Sequence, residues 1–143
     1  MTLSELRVTE LLTALGERTP APASGAATAL TAALAAALVE LAGRFAEDDA
    51  AVARARALGA RLVELADEDS AAYTAFMVER TPETRARIVA VPEEMAVCAD
   101  ELVALAGDVR AQLRSAVSGD AEAAAELAAA AARVARRLAQ LND

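Results

Sequence analysis

Apolar positions along this chain recur at helical spacing throughout, and no stretch shows the sustained alternation of a strand. The most distinctive run is Thr19 to Phe45, where no charged side chain stands between Arg18 and Glu40. Its apolar character goes round the whole helix, which predicts a buried central helix over residues 24–42 with other helices wrapped about it. Pro20, Pro22, Ser24 and Gly25 read as its entry, with Ser24 as the cap. Leu30, Leu34, Leu38, Leu41 and Phe45 step along one side, and alanines fill the others. A membrane span is the alternative, but alanine contributes little transfer energy and no basic flank follows the run.

Four further helices follow from the same pattern. Thr2 and Glu5 have capping-box spacing for a first helix that carries Leu3, Leu11, Leu12 and Leu15 and stops near Gly16. Acids at Glu47, Asp48 and Asp49 open a helix over about 50–79 with the stripe Leu58, Leu62, Leu65, Tyr73 and Phe76. Thr81 and Pro82 open a long one whose stripe runs from Ile88 to Leu113 straight through Pro92, predicting a kink or two helices in near register. After a break at Ser115–Asp120, with Ser118 or Asp120 as cap, a last helix over about 121–141 carries Leu127, Val134, Leu138 and Leu141 on one side.

One polar residue interrupts this order. The step missing between Leu65 and Tyr73 is Asp69, and at about 100° per residue it falls in the middle of the apolar stripe. Asp67 lies on the opposite side and Glu68 on the flank. An inward carboxylate finds hydrogen-bond partners, has its pKa raised by desolvation, or lines a cleft. A structural acid paired with an arginine or capping a neighbouring helix remains an equal reading.

Composition narrows the chemistry. Hydrophobic residues make up 56% of the 143 and aromatics 2%, so alanine does much of the packing in a single all-α domain, residues 1–143, of about five helices. Thin alanine-rich helices bury modest area alone, which favours a dimer. A net charge of −8 argues against nucleic acid as a partner. Histidine and lysine are absent, removing histidine-based nucleophile pairs, histidine metal sites and Schiff-base chemistry; no metal or cofactor is expected. Cys98 is alone and reads as a small buried hydrophobe. With no basic region leading into an apolar run at the N-terminus, the expected location is the cytoplasm, with no membrane partner.

The stretch PAPASGAATALTAALAAALVEL resembles the signature of the cyclodeaminase/cyclohydrolase family, in which Pro-x-Pro-Gly-Gly-Gly-Ser opens an alanine-rich helix. Further segments agree in order: SELRVTELLTALGER, LVELADEDSAAYTAFM, AVPEEMAVCADELVALA and, more weakly, AVSGDAEAAAELAAAA. The resemblance implies an all-helical homodimer acting on one-carbon tetrahydrofolates, either releasing ammonia from the formimino form or opening the methenyl ring with water. It implies Asp69 as the acid/base and Pro22, Ser24, Gly25, Tyr73 and Asp120 as substrate-binding residues, with the folate as substrate and no cofactor. Ala23, Ser24 and Gly25 stand where the family has three glycines, and Ala26 where it has serine. The alternative function is a family-fold helical dimer with lost or altered chemistry that acts as a ligand- or protein-binding module.

Overall fold

The computed structural model describes residues 1–114 and 117–143, so the expected break at Ser115–Asp120 lies partly outside the described residues. A short 3-10 turn, Leu3–Glu5, precedes five helices: α1 (Val8–Gly16), α2 (Ser24–Phe45), α3 (Asp49–Val78), α4 (Pro82–Arg110) and α5 (Ser118–Asn142). The described residues contain no strand. Local chemistry explains most of these boundaries. Asp48 accepts the Ala51 N–H at 3.0 Å to start α3, and the Thr81 hydroxyl accepts the Thr84 N–H at 3.1 Å ahead of Pro82 in α4. Pro92 lies inside α4, which is one helix and not two.

Two starts differ from expectation. Glu5 does reach back to the Thr2 N–H at 2.6 Å, but it closes the separate 3-10 turn; α1 begins only at Val8. Ser24 is the first residue of α2, so its side chain does not cap the helix; Ala23 occupies the cap position, and no side chain caps there.

Residues 46–48 and 79–81 are tight connections that make α2, α3 and α4 successive antiparallel neighbours. In section the four long helices form a rhombus in which α2 packs on α3 and α5, α4 packs on the same two, and α2 and α4 touch across the short diagonal. Helix α2 is long and apolar enough to cross a membrane, yet its alanine face is core. Ala26, Ala29, Ala35, Val39 and Ala42 are wholly buried, whereas Leu34, Leu41 and Phe45 are exposed. The central helix is thus embedded on three sides and open on the fourth, contrary to the all-round burial its composition predicts. The same inversion occurs in α5. All seven of its buried residues are alanines, while Leu127, Val134 and Leu141 face outward. Small side chains let helix axes approach closely, and a leucine in those seams would push them apart. Larger residues fill the wider gap between α3 and α4: Leu58, Leu62, Leu65, Ile88, Met95 and Leu102 are buried, with Cys98 among them.

Arginines lace the outside of that gap. Arg61 donates to Glu94 at 2.5 Å and to Glu68 at 2.7 Å, and the Glu94 pair joins α3 to α4; Arg54 pairs with Glu101 about two turns further along. Helix α1 buries no residue and barely touches the bundle. Its leucines instead form one wall of an apolar hollow against the open face of α2.

Candidate functional site

The rhombus brings the start of α2, the second half of α3, the start of α4 and the end of α5 to one end of the bundle. A cavity of about 240 Å³ opens there, lined by Ala23, Ser24 and Gly25 from α2's entry, Asp69 and Tyr73 from α3, Ile88 from α4, and Leu138 and Asn142 from α5. Asp69 is the sole charged residue in that lining.

The run Asp67, Glu68, Asp69 divides into three roles. Asp67 accepts the Leu3 N–H at 2.9 Å and tethers the N-terminal turn. Glu68 is held by Arg61 and faces Arg87. Asp69 points into the cavity, where no arginine or other donor pairs with it among the described residues. Burial without a partner pushes its carboxyl up from 3.8 to about 6. Among the described residues Asp69 is therefore neither half of an ion pair nor a hydrogen-bonding cap of a neighbouring helix.

Gly25 explains how Asp69 reaches its position. A Cβ placed on Gly25 would overlap the whole Asp69 carboxyl group, both oxygens and the carbon between them. The acid thus lies directly against the backbone of α2's first turn, and the one glycine kept from the Pro-Gly-Gly-Gly pattern is the one this approach requires. Around it the N–H groups of Ser24, Gly25 and Ala26 meet no acceptor among the described residues, because the first helical hydrogen bond is that of Ala27 to the Ala23 carbonyl at 3.0 Å. Free N–H groups at a helix start favour an anionic or carbonyl oxygen.

The sequence-predicted residues do not all meet here. Ser24, Gly25, Asp69 and Tyr73 line one cavity, whereas Pro22, after a cis Ala21–Pro22 peptide, faces an adjacent hollow with Asp67 and Ser70. Asp120 stands in the first turn of α5, and Asn142 at that helix's far end is in the cavity. At about 1.5 Å per residue, roughly 33 Å separates the two. A helix acid before an alanine run cannot by itself report which end of the bundle it occupies. Asn142, Leu138 and Ile88 gave no signal as lining residues. Among the described residues no group of three acids or thiols is placed to hold a metal ion.

A profile of the formiminotransferase-cyclodeaminase family matches residues 7–142. The chain belongs to that family. A crystal structure of formiminotetrahydrofolate cyclodeaminase from Thermotoga maritima superposes with a TM-score of 0.92 at 20% identity, covering 98% of this chain and 79% of the other. A search of curated proteins found no match. The shared fold extends over the whole formiminotransferase-cyclodeaminase match, and the cavity with Asp69 lies within it.

Proposed function

We propose that this chain acts on one-carbon tetrahydrofolates as a cyclodeaminase or cyclohydrolase, with Asp69 as the acid/base. The observation that carries the reading is the unpaired Asp69 carboxyl, held against the open start of α2 within the cavity. Family membership supplies the substrate class. The cavity, at about 240 Å³, is below the roughly 300–1,000 Å³ of pockets that enclose a drug-sized ligand. It takes the reacting ring end of the folate, and the remainder lies across its mouth.

Ring closure from a formimino group needs a second folate nitrogen to add to the formimino carbon, after which the original imine nitrogen leaves as ammonia. That nitrogen departs only once protonated. An acid raised to about 6 is mostly ionised at neutrality but keeps roughly a tenth of its population protonated, far more than an ordinary carboxyl, which suits both the donation and the reverse transfer from an attacking water in hydrolysis. The free N–H groups of α2's first turn stabilise a carbonyl or anionic oxygen brought against them.

The assay is conversion of 5-formiminotetrahydrofolate, followed by growth of methenyl absorbance, alongside decay of methenyltetrahydrofolate in water. Wild-type protein accelerates one or both over buffer. Asp69→Asn lowers the rate by about 100-fold or more. Gly25→Ala, which displaces the acid without removing it, lowers it by at least tenfold while the fold persists. No acceleration by wild type, or equal rates for Asp69→Asn, would sink the reading.

The working form in this proposal is a homodimer joined at the hollow between α1 and α2. Leu6, Leu12, Leu15, Leu30 and Leu34 are among its lining residues, none of which is charged. A net charge of −8 opposes association of two copies, and an uncharged apolar face is where that opposition is least and burial offsets it most, which favours a second copy as its occupant.

A further inference from the structure

Helix α4 contains a gap in its own hydrogen bonding. Residue 92 is proline and has no N–H, so the Ile88 carbonyl four residues earlier loses its helical donor. Ile88 is 4% exposed, leaving little water to replace that donor. The structure fills the gap from another helix: the Asn142 side chain donates its Nδ2 to the Ile88 carbonyl at 2.8 Å. Arg85 donates to the Asn142 carbonyl oxygen at 3.2 Å and stacks over the Phe76 ring, holding the last turn of α5 against α3 and α4.

This clip orients an amide in the cavity that holds Asp69 and Tyr73. With one Nδ2 hydrogen committed to Ile88, the Asn142 Oδ1 and the second Nδ2 hydrogen remain, and Oδ1 meets no donor among the described residues. A fixed carboxamide presents an acceptor beside a donor. Such an edge pairs with a ring edge that offers an N–H beside a carbonyl or imine nitrogen.

We infer that Asn142 is a ligand-binding residue recognising an edge of this kind, and that Pro92 positions it by leaving the Ile88 carbonyl for it to bind. The inference rests on the folate reading, because the pyrimidine half of a pterin ring carries that edge. It adds a residue from α5 that fixes how the ring lies relative to Asp69.

The test measures binding of two probes by calorimetry: 6-methyltetrahydropterin, which has the edge, and p-aminobenzoylglutamate, which does not. Asn142→Ala weakens the pterin by about tenfold and leaves p-aminobenzoylglutamate unchanged. Pro92→Ala returns an N–H to α4 and releases Asn142, so it weakens the pterin by a similar factor while the unfolding midpoint holds or rises. The double variant Pro92→Ala/Asn142→Ala leaves no carbonyl unpaired, which keeps the comparison valid if Asn142→Ala alone folds poorly. It binds the pterin no worse than Pro92→Ala, showing that the two residues act as one unit. Unchanged pterin binding in Asn142→Ala and in the double variant overturns the inference alone. Equal weakening of both probes also overturns it, because the loss is then not specific to the edge. If wild-type protein binds neither the pterin nor 5-formyltetrahydrofolate, the folate reading falls and takes the inference with it.

Discussion

Asp69 has a stability signature that is independent of any substrate. Its folded pKa is raised, so folding favours the protonated form. The stabilising contribution is complete below the unfolded value of 3.8 and is lost as pH rises through about 6. Each pKa unit corresponds to about 1.4 kcal/mol, and with partial solvent screening in the open cavity the whole shift is worth about 1–2 kcal/mol. Asp69→Asn removes the charge at nearly constant shape. The variant is therefore more stable than wild type by about 1–2 kcal/mol above pH 6, and the difference shrinks towards zero by about pH 4. Urea titrations of both proteins across that range check it, since all other carboxylates cancel in the difference; a gap independent of pH would rule out desolvation as the cause. The inward direction of Asp69 was legible in the sequence because a carboxylate replaced one step of a regular stripe. Why Gly25 matters was not, because its neighbour is 44 positions away along the chain and only packing joins them. Asn142 was equally hidden: Pro92 signals an orphaned carbonyl, but nothing local names the donor.

Helix boundaries followed from caps and prolines, which are local, and so were largely readable. Which face of a helix turns inward was readable in α3, where leucines alternate with charges, and misleading in α2 and α5, where leucine competes with alanine. Hydrophobicity ranks leucine as the buried residue; the narrow seam between close-packed helices admits only the smaller one. Adjacent residues of α5 expose this competition. Val134 is half-exposed, at 43%, while Ala135 is wholly buried. Exchanging the residue types one position at a time gives opposite expectations. Val134→Ala stays within about 0.5 kcal/mol of wild type, because little burial is lost and alanine is the better helix former. Ala135→Val adds two methyl groups to a filled seam and destabilises by about 1–3 kcal/mol. Thermal or urea unfolding of the two variants distinguishes them, and equal effects would show that the α5 seam has slack.

At the scale of the whole molecule, the unsettled balance is that of α1 and the open face of α2. A helix of nine residues that buries nothing is too short to hold its shape in water by itself. The leucines it turns towards Leu30 and Leu34 form a continuous uncharged surface on an otherwise acidic protein. Pairing that surface with its own copy would cover both and give α1 the packing it lacks. In a two-fold dimer each substitution enters the interface twice. A glutamate at Leu12 or Leu34 therefore places two unpaired carboxylates in an apolar seam, a cost of several kcal/mol that shifts the equilibrium to monomer. Leu141, also exposed but at the end of α5, is the control: Leu141→Glu leaves the dimer intact. Sedimentation at micromolar concentration separates these outcomes, with wild type and Leu141→Glu at twice the 14.7 kDa chain mass and the two interface variants near one chain mass. Helical content stays near wild type outside α1, because the rhombus of α2 to α5 is packed within one chain. A wild-type protein that sediments as a monomer would remove the dimer, and with it the reason for the uncharged face that α1 turns to the hollow.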